Sequence, residues 1–335
     1  MLYVVTAISN IQGYKSRYKL YENFSKYLDK FENVTLYTVE LAYRGAPFVV
    51  TQADNPHHVQ IRGDQPFWHK ENLLNIGFKH LPPEAKYVAW LDADIEFLDP
   101  NWAENTINLL DKTPVIQMFS RCRDLGPSDE VLYEVPSFMA YLPDLRDNLF
   151  RDRSKLRIHR PSSQGKVLHN LEYTSLLPPA ALQPNPGMAW AARRDFLDQI
   201  GGLIDWCVIS PGDWHMACCF AELINTFIDR KICYSHKLSQ GYQNRLREHQ
   251  ARCSALLDAP AGMLEGRIAH HWHGSRVNRG YGPHWDILLN NDFDPDLDLT
   301  LDSHGLYRVR PFREKLLQDV LDNLNGRQED STSLT

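Results

Sequence analysis

Short apolar segments alternate with amphipathic ones along the first 120 residues, and this alternation most narrows the folds open to the chain. Leu2 to Ile8 is apolar and rich in β-branched residues, the composition of a buried strand. Tyr18, Tyr21, Leu28 and Phe31 recur at helical spacing, so residues 15–31 read as a helix. Val34 to Leu41 reads as a second strand. Trp68 to Phe78 carries Trp68, Leu73, Leu74 and Phe78 and reads as a second helix. Tyr87 to Leu91 is a short apolar strand that ends in acids, and Val115 to Phe119 is another strand. Between them Asp99-Pro100 has the residues of a helix start, with Asp at the cap and Pro at the first helical position. Strands alternating with helices predict an α/β domain on a largely parallel sheet.

Residues 120–185 break this rhythm. They are rich in proline and charge, have little periodicity, and are expected to form an irregular insertion. Within 151–166 there are six Lys or Arg against one Asp. That excess fits a solvated surface loop or a mobile loop that binds an anionic substrate. Order returns at Gly187 to Ala192, a strand, and a helix follows to Ile200, stopped by Gly201 and Gly202. Gly212 to Leu223 and residues 236–257 read as helices, Arg267 to Trp272 as a strand, and Phe312 to Leu324 as a helix. The expected organisation is one domain over 1–310 with the insertion 120–185, then a C-terminal helix and a loose tail over 311–335.

With 36 Lys and Arg against 42 Asp and Glu, the net charge of −6 excludes a protein that coats nucleic acid, though not a local basic groove. The apolar run at the N-terminus is too short for a membrane span and lacks a basic flank, so no membrane segment is expected. The six cysteines show no CxxC spacing, which fits reduced, buried thiols of a cytoplasmic protein.

The sharpest chemical feature is Asp92-Ala93-Asp94. It stands where an apolar strand meets a loop, at the carboxyl edge of the sheet, where open α/β sheets bind ligands. Two carboxylates there are costly unless paired, hydrated or bound to a cation. Hard oxygen ligands at this spacing suit Mg²⁺ or Mn²⁺ with a diphosphate in the remaining positions. The second feature is the segment Ile268 to Gly274, in which three of the 14 histidines lie within four residues. On a strand His271 and His273 would share one face and His270 would point away. Imidazole ligands move the choice of metal from Mg²⁺ towards Mn²⁺.

The third feature is Ser210 to His215. Gly212 allows a tight turn, and Asp213 at a helix start is either an N-cap carboxylate or a general base. The fourth is WHKENLLNIG at 68–77. It reads either as an amphipathic helix with Lys70 and Glu71 solvated, or as a nucleotide-facing helix with Trp68 stacking and Lys70 supplying charge. Arg17, after the first strand, is in the same position between a surface arginine and a phosphate clamp. Trp190, Trp206 and Trp214 could stack on sugar faces, with core packing the commoner role for Trp190.

Taken in order these segments resemble the GT-A glycosyltransferases. Asp92-Ala93-Asp94 looks like their D-x-D motif. WHKENLLNIG is similar to the FNRAKLLNVG-type helix of the β-1,4-galactosyltransferase family (family 7). GMAWAARRDFLDQIGG at 187–202 looks like the strand and helix ahead of that family's acidic GGED-type segment, where Pro211-Gly212-Asp213 falls here. The histidines at 270–273 fall where those enzymes place a late metal-binding histidine. The matching blocks span about residues 1–100 and 187–290, with 120–185 outside. The family arginine of the helix motif is Lys70 here, and the acidic run is reduced to Asp213, with Asp205 as a spare base.

The resemblance implies a GT-A (Rossmann-like) α/β fold with a mostly parallel central sheet. It also implies a metal-dependent transfer of a sugar from a nucleotide-sugar, UDP in the first instance, to an acceptor hydroxyl; Asp213 as base predicts inversion, and without a base there the enzyme could instead be retaining. Asp94, His273 and His270 are expected to hold Mn²⁺ or Mg²⁺. Asp92, Arg17, Glu40, Trp68 and Lys70 are expected to bind donor, Asp213 to act as base, and Trp206 and Trp214 to contact acceptor. The acceptor is expected to be a glycan or saccharide, or a hydroxylated base in DNA. Golgi relatives carry a membrane anchor that this sequence lacks, so a bacterial or bacteriophage enzyme of the cytoplasm is expected. Two other classes compete. A nucleotidyltransferase would need a phosphate-cradling glycine-rich loop, and only Gly13 stands near the first strand. A sugar-binding or scaffold protein would keep the cleft without turnover.

Overall fold

The computed structural model describes residues 1–151, 184–209, 211–232, 234–279 and 283–333. The basic stretch 152–166 and Ser210 lie outside the described residues. The first half runs β1 (Leu2–Ser9), α1 (Lys15–Leu28), β2 (Val34–Tyr43), β3 (His58–Gly63), α2 (Lys70–Lys79), β4 (Tyr87–Leu91), β5 (Ile95–Phe97), α3 (Trp102–Leu110) and β6 (Val115–Gln117). There follow β7 (Arg121–Leu125), β8 (Val131–Pro136), α4 (Phe138–Arg151), β9 (Ala189–Arg193), α5 (Arg194–Ile200), α6 (Gly212–Phe220), α7 (Ile224–Asp229) and α8 (Gln240–Ser254). The chain ends with β10 (Gly262–Met263), β11 (Arg267–His270), α9 (Pro283–Asn290), α10 (Pro295–Asp298), β12 (Leu299–Leu301), β13 (Tyr307–Val309) and α11 (Glu314–Asn325).

The central sheet has seven strands in the order β10-β6-β9-β4-β1-β2-β3. β1, β2, β3 and β4 run parallel, and β9 is inserted antiparallel between β4 and β6. Helices cover both faces, so the central strands β1, β4 and β9 are mostly apolar and alternate between two cores. Val5, Val88 and Trp90 point into the larger core with α2, α5 and α6. Leu2, Val4, Ala89 and Leu91 point into the smaller core with α1 and α3. The fold class expected from the alternation of elements, mixed α/β with a central sheet flanked by helices, is the one observed.

A second sheet of four strands, β5-β11-β7-β8, stands beside the first. It corrects the expectation of an irregular insertion from 120: residues 121–151 form β7, β8 and α4. Their strand pattern was hidden because β8 is largely exposed and β7 alternates arginines with Cys122 and Asp124. The helix expected at Asp99-Pro100 begins two residues later, at Trp102, with Asp99 accepting from the Asn101 amide at 2.9 Å. α5 stops as predicted, because Gly201 and Gly202 adopt φ of +83° and +80° and their amides close back onto Asp198 and Leu197.

The expected loose tail is instead docked. The Asp330 carboxylate accepts from the free backbone amides of Lys15 and Ser16 at the start of α1, at 3.0 and 2.8 Å. Trp272 Nε1 donates to the Ser331 carbonyl at 2.7 Å. A charged carboxylate at a helix N-terminus meets unpaired N–H groups and the positive end of the helix dipole. Composition alone could not show that this polar segment had such a partner more than 300 residues away.

α2 lies close against the sheet because Gly77 presents no side chain there. A Cβ at Gly77 would stand 2.5 Å from Val5 Cγ1 and 2.8 Å from Val39 Cγ2. Gly77→Ala is therefore expected to lower stability by about 1–3 kcal/mol through overpacking, against the small gain in helix propensity. Urea unfolding of the two proteins measures it.

Candidate active site

A cleft of about 200 Å³ opens at the carboxyl ends of β1 and β4. It is lined by Arg17 on α1, Trp68, Lys70 and Glu71 at the start of α2, Asp92 and Asp94 after β4, and Asp213 at the start of α6. His270, His273, Arg279, Arg327 and Glu329 close the other side.

The turn carrying Asp92 and Asp94 is pinned from both directions. The Asp92 amide donates to the Met188 carbonyl at 2.8 Å, and the His271 amide donates to the Asp94 carbonyl at 2.8 Å. From this turn β5 leaves the central sheet and pairs antiparallel with β11, with Ile95 opposite His270. That pairing brings the acidic motif to the histidines. His273 Nε2 lies 3.3 Å from Asp94 Oδ2, His270 Nε2 lies 3.8 Å from the same oxygen, and the two Nε2 atoms are 3.2 Å apart. One ligand atom from each of the three residues falls within 4.8 Å of the others. Asp94 Oδ1 is buried with no hydrogen-bond partner.

An orphaned carboxylate oxygen and two converging imidazole nitrogens fit a divalent cation in chemistry and spacing. The expectation that His271 and His273 would share a strand face fails, because the strand ends at His270. Beyond it the loop turns His273 back into the cleft, while His271 lies 3.8 Å from both Glu96 and Asp129.

Sequence reading missed Asp124. It is the register partner of His270 on β7, and its carboxylate pairs with His270 Nδ1, leaving Nε2 directed at Asp94. A carboxylate behind an imidazole fixes the ring's tautomer and orientation and raises its basicity as a ligand. Burial alone would lower the His270 pKa, but Asp124 and Asp94 together hold it up at about 9. Burial and nearby Arg279 push His273 the other way, well below the usual imidazole range.

Lys70 forms an ion pair with Asp92. Against the cost of burial, the acids around it raise the Lys70 pKa and keep it charged. Arg17 and Arg327 both hold Glu329, at 2.6 Å for Arg17 Nη2 and for Arg327 Nε. Arg327 also lies 5.2 Å from the Trp68 ring centroid, so the docked tail forms one wall of the cleft. Glu329 and Arg327 carry no sequence signal, because they sit in a short polar segment without periodicity.

Asp213 lines the cleft with Oδ1 accepting from the Trp214 amide at 2.7 Å. Glu71, expected to be solvated in the amphipathic reading, is instead 6% exposed and faces the cleft. Burial, reinforced by Asp213 and opposed by Lys70, raises its pKa to about 7.

Several expected site residues lie elsewhere. Glu40 is outside this cleft, and its carboxylate is saturated by the amides of Val49, Val50 and Thr51 and the Thr51 hydroxyl at 2.6–3.1 Å. It secures the loop after β2. Trp206 is buried edge-on to Tyr242, with ring centroids 4.7 Å apart, and Trp214 packs between Phe138 and Phe227. Neither tryptophan lines the cleft. Trp190 stacks on Trp90 in the core, as expected. Asp205 is also outside and accepts from Asn75 Nδ2 at 2.8 Å.

No protein-family profile matches the chain, and no curated protein matches it. Solved structures do. A Drosophila β1,4-galactosyltransferase 7 mutant in complex with manganese, UDP-Gal and xylobiose is 11% identical, with a TM-score of 0.30 over 64% of this chain and 58% of that one. The chain thus spans little more than half the length of that structure. The catalytic domain of the same Drosophila enzyme, complexed with xylobiose, is 10% identical, with a TM-score of 0.37 over 95% and 98%. Staphylococcus aureus TarS is 11% identical, with a TM-score of 0.35 over 98% and 90%. These neighbours are GT-A glycosyltransferases. Among the described residues no helix is long and apolar enough to cross a membrane.

The Glu71 carboxyl has a testable linkage. An unfolded Glu titrates near its ordinary value, about 4.3, while the folded one holds its proton up to about 7. The native state then binds more protons between these values, so this contribution to stability is full at low pH and is lost as pH rises to 7. Glu71→Gln removes the ionisable group. It is expected to raise the melting temperature by several degrees at pH 8, an effect of up to about 3 kcal/mol, with little gain at pH 4.

Proposed function

We propose that this protein is a metal-dependent glycosyltransferase that moves a sugar from a nucleoside-diphosphate sugar to an acceptor hydroxyl, with inversion at the anomeric carbon. One observation carries the reading. The Asp94, His270 and His273 cluster shares a single cleft with the cations Arg17, Lys70 and Arg327 and with the carboxylate Asp213. A metal centre beside several cations suits a diphosphate, and a carboxylate in the same cleft suits a hydroxyl nucleophile.

Asp94, His270 and His273 would hold the cation, and two imidazoles favour Mn²⁺ over Mg²⁺. When bound, the cation supplies Lewis-acid stabilisation to the leaving diphosphate. The protein's own groups do the rest. Arg17 and Arg327 give the diphosphate fixed positive charge. Lys70 keeps Asp92 oriented towards the donor ribose or a bound water, and Trp68 flanks the same wall. Asp213 accepts the proton of the acceptor hydroxyl as its oxygen attacks the sugar from the face opposite the leaving group. A uridine nucleotide is the donor we propose. A saccharide is the acceptor class we propose; the alternative, a hydroxylated base in DNA, drew its support from the basic stretch at 151–166, nearly all of it outside the described residues.

Two variants test this reading. Mn²⁺ with UDP is expected to raise the melting temperature, because ligands that bind the native state stabilise it by mass action. Asp94→Ala should abolish that shift, and so should EDTA. No shift at millimolar UDP and Mn²⁺, nor with GDP, ADP or CDP in its place, would favour a binding or scaffold protein. Asp213→Asn is expected to keep the shift and to lose roughly 10²–10⁴-fold in turnover of a UDP-sugar, the range for removal of a general base. Retained turnover would remove Asp213 from that role.

A further inference from the structure

The acids of the cleft divide by partner. Asp94 faces two imidazoles, Asp92 is paired with Lys70, and Glu329 is held by two arginines. Glu71 and Asp213 have no ion pair among the described residues. Glu71 is the more buried of the two at 6% exposure, and its carboxyl makes a hydrogen bond to its own backbone amide.

Two glycines make room for this pair. A Cβ on Gly212 would stand 2.9 Å from the Glu71 carboxyl carbon and 3.2 Å from each of its oxygens. A Cβ on Gly187 would stand 2.7 Å from Asp213 Oδ2. Glu71 therefore rests on the first residue of α6, directly before Asp213. The charged groups that act on Glu71 are Lys70 on its own helix, Asp213 on α6 and Asp92 after β4. Asp213 Oδ1 accepts from the Trp214 amide in the first turn of α6. Burial in this contact, reinforced by Asp213 and opposed by Lys70, raises the Glu71 pKa to about 7, so its carboxyl keeps a proton up to near-neutral pH.

Resting on the glycosyltransferase reading, we propose that Glu71 is an acceptor-binding residue whose protonated carboxyl donates a hydrogen bond to an acceptor oxygen neighbouring the hydroxyl that Asp213 deprotonates. The acceptor this fits is a saccharide with adjacent oxygens, one placed for the donor and one for the base. In the transfer, the bond from acceptor oxygen to anomeric carbon forms as the bond from that carbon to the diphosphate oxygen breaks. The electron pair leaves with the diphosphate, the hydroxyl proton goes to Asp213, and Glu71 keeps its own. The buried carboxyl gives the cleft a neutral hydrogen-bond donor beside the acid that takes the hydroxyl proton.

Two measurements test the proposal. The first needs no substrate. Infrared difference spectra of the whole protein between pH 5.5 and 8.5 should show a protonated carboxyl band that disappears as pH passes 7, is absent from Glu71→Gln, and titrates lower in Asp213→Asn. A Glu71 carboxyl already ionised at pH 5.5 overturns the proposal. The second follows transfer from UDP-galactose to xylobiose with Mn²⁺. Glu71→Ala should raise the acceptor KM about tenfold or more, the loss of one buried hydrogen bond. Glu71→Gln, which still donates, should recover most of that loss and remove the rise in acceptor KM above pH 7. If Glu71→Gln is as impaired as Glu71→Ala, a carboxylate is required there and the donor role is wrong. Silence of every variant including the wild type counts against the glycosyltransferase reading, and the infrared titration then decides the state of Glu71 by itself.

Discussion

The antiparallel pairing of β5 with β11 is the contact on which the site depends. β4 belongs to the central sheet and β5 to the second one, and the turn between them carries Asp92 and Asp94. Because Ile95 is in register with His270, the residue before Ile95 is delivered to the histidine loop. A shift of one residue would turn the side chains of β11 to the opposite face of the sheet and carry His270 away from both Asp94 and Asp124. The backbone bonds from Asp92 to Met188 and from His271 to Asp94 hold the same register from either side. The Asp94, His270 and His273 cluster is therefore a property of strand pairing between residues about 175 positions apart, which local sequence cannot express.

Much of the scaffold was nevertheless legible. β1, β2, β4, α2 and α5 follow from apolar periodicity and from Gly201 and Gly202, because their side chains answer to packing on both faces of one sheet. Asp92 and Asp94 were legible as acids at the end of an apolar strand, and the structure places both in the cleft at the sheet's carboxyl edge. His270 and His273 were legible as a cluster, but their convergence was not, since it depends on the strand ending at His270. Asp124 was hidden in a strand whose outward face is arginine, and its role is visible only once β7 lies beside β11. Glu71 was misread for a plainer reason: a charged residue at a helix start is usually solvated, and only the closeness of α6 through Gly212 excludes water from it. Trp206 and Trp214 failed in the opposite direction, because large aromatics serve cores more often than sugar faces.

The docked tail changes how the cleft is understood. Glu329 is 1% exposed and its carboxylate is held well below the usual range, with Arg17 and Arg327 overcoming the cost of burial. Those arginines are also the groups suited to a diphosphate. Glu329 fixes both side chains along the cleft wall, so an anion bound there would cost them less side-chain freedom. The same carboxylate offsets part of their charge, which keeps the empty cleft from carrying unpaired buried cations.

Charge in this cleft is sorted by partner, and function follows from the sorting. Burying several acids in one place would be destabilising if all were ionised and alike. Here the imidazole-bound acid is suited to a cation, the lysine-bound acid is fixed in orientation, and the arginine-bound acid organises cations. The remaining two, Glu71 and Asp213, have no ion pair among the described residues, and Glu71 rests on Gly212 directly before Asp213. Such an arrangement makes little sense as a device for stability, since apolar residues of similar volume would serve a core at least as well. It is better explained as a binding site, in which an acid facing two imidazoles, an acid fixed by a lysine and an acid holding two arginines are set around one cleft.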